Sequence, residues 1–120
     1  MTADELLFFD PRPGLVPIYD ALRRALAGAY PDMSVKVSKT QISFYNRHLF
    51  AMTSLPRRKG DSYLLVSFGL GRRESSPRVM QAVEPYPGRW THHVPVHAPE
   101  EVDRELLSWL EEAWQFSFHK

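Results

Sequence analysis

Hydrophobic and polar positions change their period along the chain, from a helical spacing to alternation and back again. Between residues 14 and 30, apolar residues recur three and four positions apart, which is the pattern of one buried helical face. This predicted face consists of Ile18, Leu22, Ala25 and Ala29. Residues 99–115 repeat the spacing with Val102, Leu106, Trp109, Leu110 and Ala113. Because proline is tolerated in the first turn of a helix, Pro17 and Pro99 mark the two predicted starts.

The segment 33–97 alternates apolar and polar side chains, which is typical of half-buried β-strands. Turns are predicted at residues 46–47 and 56–61, where polar and breaker residues cluster. The run 63–68 is the most apolar and is predicted to lie at the centre of the sheet. Residues 78–84 are predicted to form a further short strand.

A last strand is predicted over residues 90–97, and Pro95 within it indicates an edge strand or a bulge, because proline cannot donate to a neighbouring strand. Residues 1–13 are expected to form a leading segment in which Pro11 and Pro13 stop any helix. The pattern therefore predicts a single α+β domain, a two-layer sandwich. Its antiparallel sheet of about five to six strands is expected to carry an N-terminal and a C-terminal helix on one face and polar side chains on the other.

Composition narrows the class of protein. The chain has 120 residues and no cysteine, which suits one domain and excludes a disulfide framework, a thiolate nucleophile and cysteine-ligated metals. The acidic start of the chain is unlike a secretory signal, and no apolar run approaches the roughly 20 residues of a membrane span. We therefore expect a cytoplasmic protein with no membrane partner.

Charge is segregated although the net charge is only +1. Residues 33–89 carry ten basic and three acidic side chains, whereas residues 90–120 carry two basic and six acidic ones. Such a basic segment predicts an anionic partner, either nucleic acid or a phosphorylated small molecule. Stacking surface for bases could come from Tyr45, Tyr63 and Tyr86. The alternative is a solvated face that keeps the edges of the sheet soluble.

Three histidines lie in the last predicted strand. Alternation places His92 on the same side as Val94 and Val96, and places His93 and His97 on the other side. His93 and His97 are then about 13 Å apart from the rise of the strand, too far to share a metal unless a bulge at Pro95 brings them closer. We predict no metal site and no cofactor, and His92 fits a buried, hydrogen-bonded position.

Motifs for phosphate binding or catalysis are weak. Gly69 and Gly71 precede two arginines, but no phosphate-loop lysine follows, so the segment is interpreted as a turn. No spacing marks a catalytic triad or a nucleophile elbow.

Three stretches resemble the family called domain of unknown function 5655. They are SKTQISF at 38–44, RWTHHV at 89–94, and the segment 102–114 that ends in WLEEAW. The resemblance implies a small bacterial domain that occurs alone or attached to others, and it implies no activity. A more distant likeness is to YdhG-like proteins and frataxin, but frataxin-like iron binding needs an acidic ridge where this chain has Arg23 and Lys36.

The family pattern singles out polar residues around Lys39, Arg89 and the paired histidines, and we expect them to converge on an anion-binding pocket. The predicted site comprises Lys36, Lys39, Gln41, Arg57, Arg58, Arg89, His92 and His93. One alternative is a protein–protein interaction module, a homodimer included, built on Trp114, Phe116 and Phe118. The other is a small enzyme with His92 or His93 as its general base.

Overall fold

A computed structural model describes residues 1–119, which form three helices and six strands. The helices are α1 Ala3–Phe8, α2 Val16–Ala29 and α3 Arg104–Phe118. The strands are β1 Ser34–Val37, β2 Ile42–Tyr45, β3 Leu49–Ser54, β4 Leu64–Leu70, β5 Gln81–Tyr86 and β6 Arg89–Val96. Short 3₁₀ turns span Pro13–Leu15 and Pro99–Glu101.

The six strands form one antiparallel sheet in the order β1-β2-β3-β4-β6-β5. The α+β sandwich predicted from the sequence is confirmed, and all of the apolar run 63–68 except Tyr63 falls within β4, inside the sheet. The hairpin between β5 and β6 turns at Gly88, whose φ of +77° is in the region that favours glycine.

The helices cover one face of this sheet. Side chains of α2 and α3 pack with inward residues of β2, β3, β4 and β6 in a single core, whose largest members include Tyr19, Phe44, Phe68 and Leu110. Four of the five residues predicted for the buried face of the C-terminal helix, Leu106, Trp109, Leu110 and Ala113, are buried in α3. The fifth, Val102, precedes the helix and is half-buried. No helix within residues 1–119 is long and apolar enough to cross a membrane.

The two ends of the chain differ from the prediction. Residues 3–8 form a helix because Thr2 and Glu5 make a capping box, in which each side chain bonds the other's backbone N–H. At the other end Pro99 opens only a 3₁₀ turn. The helix α3 begins after Asp103, whose carboxylate accepts from the Leu106 N–H.

Two smaller expectations are also revised. In α2 the buried face consists of Ile18, Tyr19, Leu22 and Leu26, and Ala29 is exposed. Pro95 needs no bulge, because the pairing of β5 with β6 begins at Gln81 opposite His93 and leaves that side of Pro95 without a strand.

A buried carboxylate ties α1 to α2. Glu5 is 1% exposed, accepts a hydrogen bond from the Tyr19 hydroxyl and forms an ion pair with Arg23 at 3.0 Å. Burial raises the pKa of Glu5, but the hydrogen bonds from Tyr19, Thr2 and Arg23 outweigh it and leave that pKa lowered. The carboxylate is therefore ionised in the folded protein at neutral pH.

We predict that Glu5→Gln lowers the free energy of unfolding by about 2 kcal/mol at pH 7, because hydrogen bonds to a charged group are lost. Because the pKa of Glu5 is lower in the folded protein than in the unfolded chain, where it is near 4.5, the ionised carboxylate stabilises the fold fully above pH 4.5. This stabilisation is lost as the pH falls through the pKa of the folded protein. The difference from wild type should therefore shrink below pH 4.5 in urea unfolding experiments. Glu100→Gln, at an exposed carboxylate, is the control. A difference that stays constant down to pH 2 would contradict this.

Candidate functional site

One row of side chains crosses all six strands on the face that the helices leave uncovered. The register aligns it in strand order as Lys36, Ser43, Met52, Ser67, His93 and Gln81, and we call it the central row. The neighbouring row, which includes Phe44, Phe68 and His92, points into the core. The central row is therefore the floor of the open face.

A serine and a histidine are joined at the middle of the central row. Ser67 and His93 face each other across β4 and β6, and Ser67 Oγ lies 2.7 Å from His93 Nδ1. Burial lowers the pKa of His93, so its imidazole is neutral at pH 7. In the tautomer with its proton on Nε2, His93 accepts from the Ser67 hydroxyl and still offers an N–H.

A cleft of about 890 Å³ lies over one end of the open face. Its floor includes Met52, Ser67 and His93, and its rim includes Lys39, Arg57 and Arg58. We call it the basic cleft. Among the residues that line it, Asp61 is the sole carboxylate within the described part of the chain.

The cationic rim comes from two connections. Lys39 and Gln41 lie in the turn between β1 and β2, and Arg57 and Arg58 lie between β3 and β4. Gln41 donates from Nε2 to the Ser43 hydroxyl at 2.8 Å, which fixes the inner end of the first wall. The second wall is held by Arg12, which donates to the backbone carbonyls of Arg58 and Asp61.

The basic residues of the middle segment divide into paired and unpaired groups. Arg72 binds Glu74 and Glu112, and Arg78 binds Asp103 and Glu105. No ion pair within residues 1–119 includes Lys39, Arg57 or Arg58. The cleft therefore gathers cations that the fold leaves unneutralised.

The structure brings together five of the eight predicted site residues: Lys39, Gln41, Arg57, Arg58 and His93 all line the basic cleft. Three others lie elsewhere. Lys36 is exposed on the edge strand β1, and Arg89 lies at a second, smaller cleft, where its guanidinium is 5.6 Å from the Tyr86 ring centroid.

His92 points away from the cleft. It is fully buried, its ring is stacked at 5.3 Å on Phe68, and its Nε2 accepts from the Glu74 N–H at 2.9 Å. Burial lowers its pKa, although the carbonyls of Phe68 and Trp90 oppose the shift, so the ring stays neutral. His92 has the buried structural position that alternation indicated, and it does not line the basic cleft.

Ser67 is the site residue that sequence analysis missed. It is the one hydroxyl in the apolar strand LLVSFGL, at an outward position of the alternation, and that contrast was the available signal. Its importance depends on the register that sets it opposite His93, which no local pattern reveals.

The other predicted features are placed as follows. Gly69 belongs to β4 and Arg72 is paired with acids, so the glycine–arginine segment forms no anion-binding loop.

Trp114 stacks on Tyr30 at 4.1 Å, Phe116 lines the smaller cleft and Phe118 is 39% exposed. Dimerisation through these aromatics stays a prediction. Within residues 1–119, no three His, Asp or Glu side chains are grouped closely enough to hold a metal ion.

Comparison with known families gives one match. The model of a family described as "Domain of unknown function (DUF5655)" matches residues 7–117. No curated protein and no solved structure matches the chain. The first resemblance inferred from the sequence is thereby confirmed, whereas the distant likeness to YdhG-like proteins and frataxin is not confirmed.

Replacing either of the adjacent histidines with alanine should lower the free energy of unfolding by very different amounts. We predict that His92→Ala lowers the free energy of unfolding by about 3 kcal/mol, because it leaves a cavity beside Phe68 and frees the Glu74 N–H. His93→Ala should cost about 1 kcal/mol, since it removes one hydrogen bond at a half-buried position. Urea unfolding of both variants measures this, and equal costs would contradict the assignment of the two rings to opposite faces.

Proposed function

The chain belongs to the family described as domain of unknown function (DUF5655), and we propose that this domain binds a small anionic ligand, such as a phosphorylated small molecule, in the basic cleft. The observation that carries the proposal is the convergence of Lys39, Arg57 and Arg58, all free of ion pairs with described residues, on one cleft. Arginine matches the geometry of phosphate oxygens through paired N–H groups, and lysine supplies a point charge.

The central row supports the same ligand chemistry. Ser67 and His93 give the cleft a neutral, hydrogen-bonding floor, and Gln81 adds an amide at its outer side. Neutral donors bind phosphate oxygens without the cost of burying another charge. The cations at the rim and the donors at the floor therefore suit an anion that carries further polar groups.

Preorganisation of the rim also supports binding. The two hydrogen bonds from Arg12 fix the backbone of the loop that carries Arg57 and Arg58, although the side chains of both arginines are exposed. A loop that is already ordered loses less conformational entropy when a ligand binds. The first wall is fixed in a similar way by the hydrogen bond from Gln41 to Ser43.

The size of the cleft favours a small molecule over nucleic acid. Ligand pockets usually enclose about 300–1,000 Å³, and the basic cleft falls in that range. A nucleic-acid strand needs cations along a continuous track, whereas Lys36 and Arg89 lie outside this cleft. The basic cleft therefore suits a small anion better than a nucleic-acid strand, and the titration below distinguishes the two.

We expect inorganic phosphate and pyrophosphate to bind in an amide chemical-shift titration, with a dissociation constant on the order of 1 mM for phosphate. The triple variant Lys39→Ala, Arg57→Ala, Arg58→Ala should bind at least tenfold more weakly, because the three unpaired charges are removed. Shifts should centre on residues 39–41, 57–61 and 93.

The matched control removes three cations elsewhere, at Arg24, Arg47 and Arg104, and should bind phosphate as the wild type does. No shift on addition of either anion, or equal losses in both triple variants, would refute the proposal. A short oligonucleotide that binds more tightly than pyrophosphate, with shifts spread to Lys36 and a loss between ~50 and ~200 mM salt, would replace it with nucleic-acid binding.

A second candidate function rests on a separate observation, the 2.7 Å contact between Ser67 Oγ and His93 Nδ1. A serine beside a neutral histidine is the arrangement of a nucleophile with its general base. In ester hydrolysis Ser67 Oγ would attack the carbonyl carbon while its proton passes to His93 Nδ1, and the leaving alkoxide would take that proton. Water would then cleave the acyl–Ser67 ester by the same route in reverse.

Hydrolysis of 4-nitrophenyl acetate tests this candidate. We expect Ser67→Ala and His93→Ala each to abolish the rate above that of buffer, and His92→Gln to leave it unchanged. Because the pKa of His93 is lowered, the free base persists to lower pH and the midpoint of the rate profile should fall below 6.5. A rate that survives Ser67→Ala would exclude Ser67 as the nucleophile and leave the cleft as a binding site.

A further inference from the structure

A second, smaller cleft adjoins the basic cleft on the open face. It encloses about 190 Å³ and its walls are largely apolar and aromatic: Leu49, Pro85, Tyr86, Trp90 and Phe116. We call it the apolar cleft. Among the described residues that line it, Arg89 is the one charged residue, whereas the basic cleft has several. The Arg89 guanidinium lies over the Tyr86 ring.

The apolar cleft owes its depth to a missing side chain. Gly69 lies at its floor, two residues beyond Ser67 on β4 and opposite Thr91 of β6. A Cβ placed on Gly69 would meet no atom within 4 Å, so the space above this residue is empty. Any larger residue would project into the cleft, because positions 67 and 69 face the same side of the strand.

The two clefts are continuous through the central row. Met52 and Ser67 line both of them. Two residues of a strand span about 6.6 Å, so the floor of the apolar cleft lies within one short linker of Ser67 and His93. One ligand of modest length can therefore occupy both.

The volume and walls define the group that fits. A cavity of about 150 Å³ lined by apolar side chains holds benzene, so about 190 Å³ accommodates one aromatic ring. Tyr86, Trp90 and Phe116 line the apolar cleft, and aromatic pairs contribute binding free energy beyond the burial of area. A fused ring system or a long acyl chain exceeds this space.

We infer that the ligand is amphiphilic, with a phosphate or similar anionic group in the basic cleft and a single aromatic ring in the apolar cleft, joined by a short linker across Ser67. This inference rests on the proposed function for its anionic end. It adds the chemical class of the ligand, an aryl-alkyl phosphate, and a residue that determines specificity, Gly69.

The test compares inorganic phosphate with a series of phenylalkyl phosphates that carry one to five methylene groups, titrated against the wild-type protein and Gly69→Leu. Affinity should rise at least tenfold over phosphate at the best linker length. Gly69→Leu should abolish that gain and leave the affinity for inorganic phosphate unchanged. Gly69→Ala, which adds one carbon in open space, should lose only part of the gain.

A measurement on the wild type guards against a variant that fails to fold. Amide shifts at residues 69, 86 and 91 should appear with phenylalkyl phosphates and be absent with phosphate alone. If phosphate binds but the phenyl group adds no affinity and no shifts there, the amphiphilic ligand is refuted and the proposed function stands. If neither phosphate nor pyrophosphate binds, both are refuted.

Discussion

The alternation of side chains along β4 and β6 is the constraint on which the rest of this molecule depends. Both strands lie inside the sheet and are covered by helices on one face only, so each residue is committed to the core or to the open face. His92 and His93 show the consequence, since consecutive residues of one type become a buried packing element and a cleft residue. A slip of one residue in the β4–β6 register would exchange their environments and remove the contact of His93 with Ser67.

The clefts also depend on connections distant in sequence. Arg12 lies between α1 and α2, yet its guanidinium donates to the backbone carbonyls of Arg58 and Asp61, in the connection between β3 and β4. Glu5 in turn attaches α1 to α2 through Tyr19 and Arg23. The loop that presents the cationic rim is thus supported by a segment whose own position is fixed by a buried carboxylate.

Sequence patterns predict much of the fold because the spacing of apolar residues and the positions of proline and glycine are local properties of the chain. The two long helices, most of the strands and the inward direction of His92 follow from spacing. The strand expected at 78–84 is an exception, since β5 spans Gln81–Tyr86. The helix α1 was missed because Pro11 and Pro13 dominate that stretch, although Thr2 and Glu5 form a recognisable capping box. Pro99 is compatible with a helix start but opens only a 3₁₀ turn, because the cap at Asp103 determines where α3 begins.

The candidate site was only partly predictable, because it depends on partners that the sequence does not order. Composition identifies the basic segment but cannot distinguish Arg72 and Arg78 from Arg57 and Arg58. The first two pair with acids on or beside α3, whereas the other two form no ion pair within residues 1–119. The sequence predicts Arg89 and Lys39 in one anion-binding site, whereas the fold places them at different clefts. Ser67 acquires its meaning only from the residue across the ladder.

The ion pairs between the β4–β5 connection and α3 affect how charge is distributed over the molecule. Arg72 with Glu112 and Arg78 with Glu105 cancel charge on the helical side of the molecule, while the cations around the basic cleft keep theirs. A chain with a net charge of only +1 therefore distributes its charge unevenly, and three cations without an ion pair among residues 1–119 lie together at the basic cleft. Because salt screens exposed charges beyond about 8 Å at physiological ionic strength, this uneven distribution acts only close to the surface of the cleft.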